Sequence, residues 1–273
     1  MCDICVMNKV KERMLSRRQF FRASAAVGAA AAVGTMASAP AALASGHSKV
    51  VDMTHTYDAD FPTYFGAPGI STDQKFNFKE HGFNLFELTI NEHTGTHIDA
   101  PLHFSADGNS VDEIPVGDLV VPLCVIHIHE AAAGNPDAQV TPDDIKAWIS
   151  AHGPIPEKAC VAMHSGWENK IGSDAFRGVD GEGTMHFPGF HIEATQMLLE
   201  ETAAGAMAVD TLSLDYGASK DFATHYAWLP SGRYGIENIR NLAKVPPAGA
   251  TLVVGAPTHR GGSGGPARII ALA

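Results

Sequence analysis

The chain has 273 residues, with 30 acidic against 19 basic side chains and a formal charge of −11. That balance excludes a protein built to hold nucleic acid or an anionic membrane surface, because both select for clustered Lys and Arg. Its length suits one or two domains, and the N-terminal part is set apart from the rest by composition. Ser16-Arg17-Arg18-Gln19-Phe20-Phe21 is followed by an uncharged run, Ala23 to Ala44, that closes on Ala42-Leu43-Ala44. Paired arginines, a weakly apolar stretch and a small-residue exit read as a twin-arginine signal peptide over residues 1–44. Pro40 and the Ala/Gly-rich composition argue against a retained membrane anchor. The expected mature chain, 45–273, is therefore periplasmic or otherwise exported, delivered by the twin-arginine export machinery and free of the membrane. Residues 1–44 take six basic and two acidic residues with them, which leaves 13 against 28, a formal charge of −15. Cys2 and Cys5 lie upstream of Met14, an alternative start, and two thiols alone are a weak metal signal.

In chain order, short β-branched or apolar runs predict strands at 49–54, 84–90, 119–128, 159–164, 206–214, 251–256 and 268–272. Thr141-Pro142-Asp143-Asp144 predicts a helix with an N-cap, a Pro at its first position and acids at its positive end. Ile145, Trp148 and Ile149 supply its buried stripe, and His152-Gly153 its end. Further helices are predicted from His191 or Ile192 to Ala204 and from Gly235 to Leu242. The class is α/β, one domain with a mixed sheet. Cys124 and Cys160 fall in apolar runs and read as core thiols, able to pair only if their Cα atoms come within about 7 Å. The polar, Gly-rich stretch 166–189 reads as a long functional loop. Phe61-Pro62-Thr63-Tyr64-Phe65 and His164-Ser165-Gly166-Trp167 offer aromatics that could line a pocket. Ser213 and Asp215 alternate in a strand and read as a buried hydrogen-bonding feature, since no motif puts a base beside Ser213. Isolated histidines such as His127, His129, His152 and His186 read as ordinary.

The segment Glu92-His93-Thr94-Gly95-Thr96-His97-Ile98-Asp99-Ala100-Pro101-Leu102-His103 places four potential ligands in eleven residues. A straight strand would separate His93 from Asp99 by roughly 20 Å, far beyond the span of one ion's ligands. A helix would turn Asp99 away from His93 and His97, and Gly95 and Pro101 both oppose a helix interior. The chain must bend, with Gly95 supplying backbone freedom that other residues lack. Imidazoles with one carboxylate suit Zn, Mn or Fe in an open, catalytic site.

This run resembles the H-x-G-T-H-x-D-x-P-x-H motif of the cyclase-like metal hydrolases, which include kynurenine formamidase and isatin hydrolase. Val51-Asp52-Met53-Thr54-His55, Asp210-Thr211-Leu212-Ser213-Leu214-Asp215 and Gly262-Ser263-Gly264-Gly265-Pro266-Ala267-Arg268 look like further landmarks of that family. The resemblance implies a swivelling β/β/α fold, a divalent Zn or Mn held by His93, His97 and Asp99, and His103 as the proton-transfer residue. It also implies a homo-oligomer. A second ion, bridged by Asp99, would use His225 and Glu237; members related to isatin hydrolase manage with one ion. The leading expectation is hydrolysis of an N-formyl or aryl amide on a small-molecule substrate by metal-activated water. Opening of a cyclic amide, imide or lactone is the alternative. A reading of another class is an exported metal- or ligand-binding protein without turnover, for which His103 would be superfluous.

Overall fold

The computed structural model describes residues 49–273, so the signal-peptide reading of residues 1–44 lies outside the described residues. Two compact parts are distinguished, a segment of residues 72–88 and a body made of 49–71 and 89–273. In chain order the strands are β1 Val50–Asp52, β2 Ile70–Phe76, β3 Leu85–Ile90, β4 His97–Asp99, β5 Val120–His127, β6 Gln139–Val140 and β7 Cys160–His164. They continue with β8 Gly189–Phe190, β9 Ala206–Val209, β10 Tyr234–Glu237, β11 Ala250–Gly255, β12 Gly264–Pro266 and β13 Arg268–Leu272. The α-helices are α1 Phe78–His81, α2 His129–Gly134, α3 Pro142–His152, α4 Ile192–Glu201 and α5 Ala223–Trp228.

Strands β2 and β3 pair as a two-stranded hairpin around α1, with Phe76 packed on Phe83 at 5.1 Å between ring centroids. The polar run Ile70-Ser71-Thr72-Asp73-Gln74-Lys75-Phe76 carries little apolar signal, which is why β2 was not expected.

In the body, a nine-stranded sheet has the order β1-β13-β11-β5-β7-β9-β10-β4-β12. Strands β5, β7, β9 and β10 are parallel neighbours, while the flanking pairs run antiparallel. The mixed sheet of the α/β expectation is thus present. Side chains alternate across it: Leu123, Val125, Ala162, Ala208 and Ile236 enter one core, and Ile126, Val161, Met163 and Val209 the other. Helices α3 and α4 cover the second face with Ile145, Trp148, Ala194 and Leu198. Full burial of Ile145 and of Leu198 contributes about 1.5–3 kcal/mol of transfer free energy each.

The alternation also settles the cysteines. Cys160 sits opposite Leu123 in the β5/β7 register, so Cys124 and Cys160 are offset by one residue and enter opposite cores as free, buried thiols. Helix α3 starts as its sequence dictates, with Thr141 and Asp144 forming a reciprocal capping box, and ends at Gly153 with φ +89°.

One predicted helix is overturned. Residues 234–237 are strand β10, parallel to β9 and antiparallel to β4, and only Leu242–Lys244 makes a 3-10 turn. The local sequence suits a helix start, but pairing on both sides of a buried sheet outweighs propensity. Helix α5 was not expected, and the predicted 206–214 strand ends at Val209, where Asp210 begins to anchor the turn after β7.

His55, which follows β1, is buried, with its Nε2 unpaired. Burial, aided by the Arg240 charge, lowers its pKa to about 4. The folded chain resists protonating it, whereas the unfolded chain takes the proton up near pH 6.5. His55 therefore costs no stability above about pH 6.5, and its penalty grows as pH falls toward 4. His55→Gln should flatten the loss of stability between pH 7 and 5 by about 1 kcal/mol, discounted for partial solvent access, in urea unfolding. An unchanged slope would assign the acid sensitivity to other groups.

Candidate active site

The signature segment is folded by three local devices. Gly95 takes φ +64°, turning the chain back between His93 and β4. Strand β4 then holds His97 and Asp99 on one face while Ile98 enters the core, fully buried. Pro101 opens a 3-10 turn, Pro101–Phe104, that carries His103 back over the same face. The bend required by the sequence is thus built from one left-handed residue, three strand residues and one turn.

Strand pairing completes the site. Glu237 lies directly opposite His97 in the β10/β4 register, and Gly235 lies opposite Asp99. On the other side Gly264 of β12 faces Asp99. A Cβ at Gly235 would fall 3.3 Å from Asp99 Oδ2, and one at Gly264 would fall 2.9 Å from His93 Cε1. Glycine on both neighbouring strands leaves the Asp99 carboxylate and the His93 ring the room they occupy.

Three histidines converge on two carboxylates, and each has one ring nitrogen committed elsewhere. His97 Nδ1 lies 2.9 Å from the Gly95 carbonyl, which can only accept, so this nitrogen carries the proton and Nε2 is the free one. That Nε2 is buried without a hydrogen bond and lies 3.3 Å from both Asp99 Oδ1 and Glu237 Oε2. His225 Nδ1 donates to Asp215 Oδ2 at 2.6 Å, which turns Nε2 toward Glu237 Oε1 at 3.2 Å and Asp99 Oδ2 at 3.8 Å. His93 Nε2 meets Ser263 Oγ at 3.0 Å; that hydroxyl donates to Glu92 at 2.5 Å and so accepts from the ring. His93 Nδ1 then faces Asp99 Oδ1 at 2.7 Å.

Burial opposes charge on His97, yet Asp99 and Glu237 outweigh it and hold its pKa up at about 10. Burial opposes charge on His225 as well, while Asp215, Asp99 and Glu237 raise it well above 6.5. Burial would also raise Asp99, but His97, His225 and His93 hold it well below the usual carboxylate range. Without an ion these imidazoles hold protons between the carboxylates; a shared divalent cation would take the place of those protons, with the freed imidazole nitrogens and the carboxylates as its ligands. The unpaired Asp99 Oδ2 and His97 Nε2 fit that reading, and the donor set of imidazoles and carboxylates fits a divalent transition ion.

His103 stacks on His93 at 3.8 Å between ring centroids and lines the cavity above the carboxylates. Burial, the largest influence, lowers its pKa to about 4, so the ring is neutral. The cavity measures about 360 Å³ and is walled by Tyr64, Phe65, Phe104, Leu212 and Phe222. Of the aromatics expected to line a pocket, Tyr64 and Phe65 do so. Trp167 instead packs with Phe176, Phe187 and Leu212 in a separate cluster and donates to the Phe176 carbonyl at 2.8 Å.

All six predicted site residues, His93, His97, Asp99, His103, His225 and Glu237, line or underlie this one cavity. Glu237 arrives there from strand β10 and not from a helix start. Asp215 is the buried hydrogen-bonding residue the alternation suggested, accepting from the backbone of Thr224 and His225 and from the His225 ring. Sequence reasoning missed the chain that orients His93, in which Ser263 leads to Glu92 and Glu92 to His259 at 2.6 Å. It also missed Asn238, whose amide donates to the Gly95 carbonyl at 3.0 Å beside His97. Nothing local marks these residues, since their partners lie more than 140 positions away.

The Cyclase family model matches residues 51–216, and a model of the twin-arginine translocation pathway signal sequence matches residues 14–34. Isatin hydrolase of Roseibium aggregatum is 30% identical over 250 residues, covering 85% of this chain and 94% of that protein. Kynurenine formamidase of Salinibacter ruber is 27% identical over 195 residues, covering 71% and 82%. Among solved structures, isatin hydrolase A from Labrenzia aggregata bound to benzyl benzoate superposes with a TM-score of 0.77 at 34% identity, covering 82% of this chain and 93% of that one. An isatin hydrolase bound to the product analogue thioisatinate gives 0.78 at 26% identity, covering 95% and 99%. With the family model spanning more than half of its length and these relatives aligned along it, the chain belongs to the cyclase family of metal-dependent hydrolases and carries a twin-arginine export signal.

Proposed function

We propose that the mature chain is a periplasmic hydrolase that opens an amide bond on an aromatic ring, with a cyclic aryl amide of the isatin type as its preferred substrate class. The observation that carries this reading is the convergence of three half-committed histidines on Asp99 and Glu237 at the floor of an aromatic-walled cavity. His93, His97, Asp99, His225 and Glu237 would hold one or two divalent ions, Zn or Mn. When bound, such an ion lowers the pKa of a water to about 7 and polarises a carbonyl.

The side chains then have separable tasks. Tyr64, Phe65, Phe104 and Phe222 accept a flat ring and exclude water from it. Neutral His103 takes a proton at its ring nitrogen from the attacking water and returns it to the amide nitrogen as the C–N bond breaks. Asp215, Ser263 and the Gly95 carbonyl fix the tautomers of His225, His93 and His97.

The relatives favour the cyclic substrate, because the isatin hydrolases align over more of the chain than the formamidase does. One observation favours a second reading, hydrolysis of an N-formyl arylamine: His225 reaches the second oxygen of Asp99 and also Glu237, so these residues would offer ligands for a second ion. Metal content and kcat/KM for isatin and formanilide, measured on the same purified mature chain, distinguish the two. At least about a tenfold preference for isatin, ~1.4 kcal/mol in the transition state, is the expected result. The reverse preference with two ions per chain would favour the formamide. Full metal with no turnover of either would overturn the enzymatic reading in favour of a binding protein.

A further inference from the structure

Three histidines that read as ordinary in the sequence meet at one place, away from the hydrolytic cavity. His127 ends β5 and His164 ends β7, directly opposite each other in the parallel register. His129 opens α2 two residues later. Their rings lie 5.0 Å apart for His127 and His164, 5.0 Å for His129 and His164, and 5.7 Å for His127 and His129. The Nδ1 atoms of His127 and His164 are 2.8 Å apart. One nitrogen from each of the three can be chosen so that all lie within 4.8 Å of one another.

The backbone beneath them is fixed. The amide of Ile128 donates to the His164 carbonyl at 2.9 Å, tying the exit of β5 to the exit of β7. The turn after His164 is anchored on buried Asp210, which accepts from the amide of Ser165 at 3.0 Å, from its hydroxyl at 2.5 Å and from the amide of Gly166 at 2.8 Å. A shallow pocket lined by His129, His164, Ser165, Asn169 and Lys170 opens beside the rings.

We propose that His127, His129 and His164 form a second metal site that takes one late first-row divalent ion, of the Zn(II) or Cu(II) class, independently of the hydrolytic centre. Three imidazoles with no carboxylate among them match nitrogen-preferring ions and not Mg, Ca or Mn, which select oxygen. Ligands about 2.0–2.1 Å from a tetrahedral ion stand roughly 3.3 Å from each other, so His127 and His164 need to part by about half an ångström. Exposed His127 and His129 have that freedom while buried His164 is held. The pocket beside His129 and His164 would leave room for water or an external ligand on the ion. Bound here, the ion links the ends of β5, β7 and α2 and stabilises the fold by mass action.

The test is Zn(II) binding by calorimetry and elemental analysis on the mature holoenzyme, with wild type beside the double variant His127→Gln, His129→Gln. Both substituted side chains are exposed, so the fold and turnover should be unchanged. Wild type should bind one Zn(II) per chain beyond the hydrolytic complement with a Kd of about 1 µM or tighter, and the double variant at least about 30-fold more weakly. Asp99→Asn should keep this ion while losing the hydrolytic one, which separates the two sites. Equal Zn(II) uptake by wild type and double variant, or no uptake by wild type beyond the hydrolytic complement, would overturn the proposal.

Discussion

Asp99→Asn is expected to remove metal from the hydrolytic centre and to lower turnover by at least about 10³-fold. Asp99 is fully buried at the end of β4, with His93, His97 and His225 within 2.7 to 3.8 Å of its oxygens. Asparagine keeps the shape, and neither β10 nor β12 offers a side chain to clash with it, since glycines stand opposite on both strands. What it removes is, among the described residues, the only carboxylate that reaches all three histidines, whose remaining nitrogens are committed to Gly95, Asp215 and Ser263. Wild type should therefore show a Tm that falls on chelation, because an ion that binds only the folded chain stabilises it by mass action. The variant's Tm should respond only through the His127, His129 and His164 site. Elemental analysis, kcat/KM and melting with and without chelator check all three parts. Wild-type metal content with undiminished turnover would remove Asp99 from the centre.

How far the sequence reveals this protein depends on whether an element's partner is local. Strands β5 and β7 are legible because burial on both faces demands uninterrupted apolar runs, and α3 because its capping box and terminal glycine lie within its own sequence. Strand β10 is not, because Gly235-Ile236-Glu237 gains strand character only from β9 and β4, and its one charged residue faces the cavity. The site follows the same rule. The bend between His93 and Asp99 is implied by Gly95 and by the reach of ligands around one ion, so those residues could be read together. The orienting contacts from Ser263 and Asn238 span 170 and 143 positions and leave no local signal. His127 and His129 are close in sequence, but their meeting with His164 is a consequence of parallel register alone.

His103→Ala should lower kcat by about 10²- to 10⁴-fold with metal content unchanged, the range expected when a positioned proton-transfer group is lost. The ring stacks on His93 and lies near Asp99, so two roles compete: proton carrier above the centre, or a further ligand within it. Metal content separates them. If His103 only moves protons, His93 stays oriented through Ser263, His97 through Gly95 and His225 through Asp215, and the ion remains. Added imidazole should then enter the vacated space beside Phe104 and restore part of the lost rate. That rescue should follow the free-base form of the added imidazole, rising as pH passes its pKa. If His103 is a ligand, metal and activity fall together and imidazole restores both. Retained metal with no loss of rate would leave the protonation of the leaving nitrogen to water that reaches the cavity.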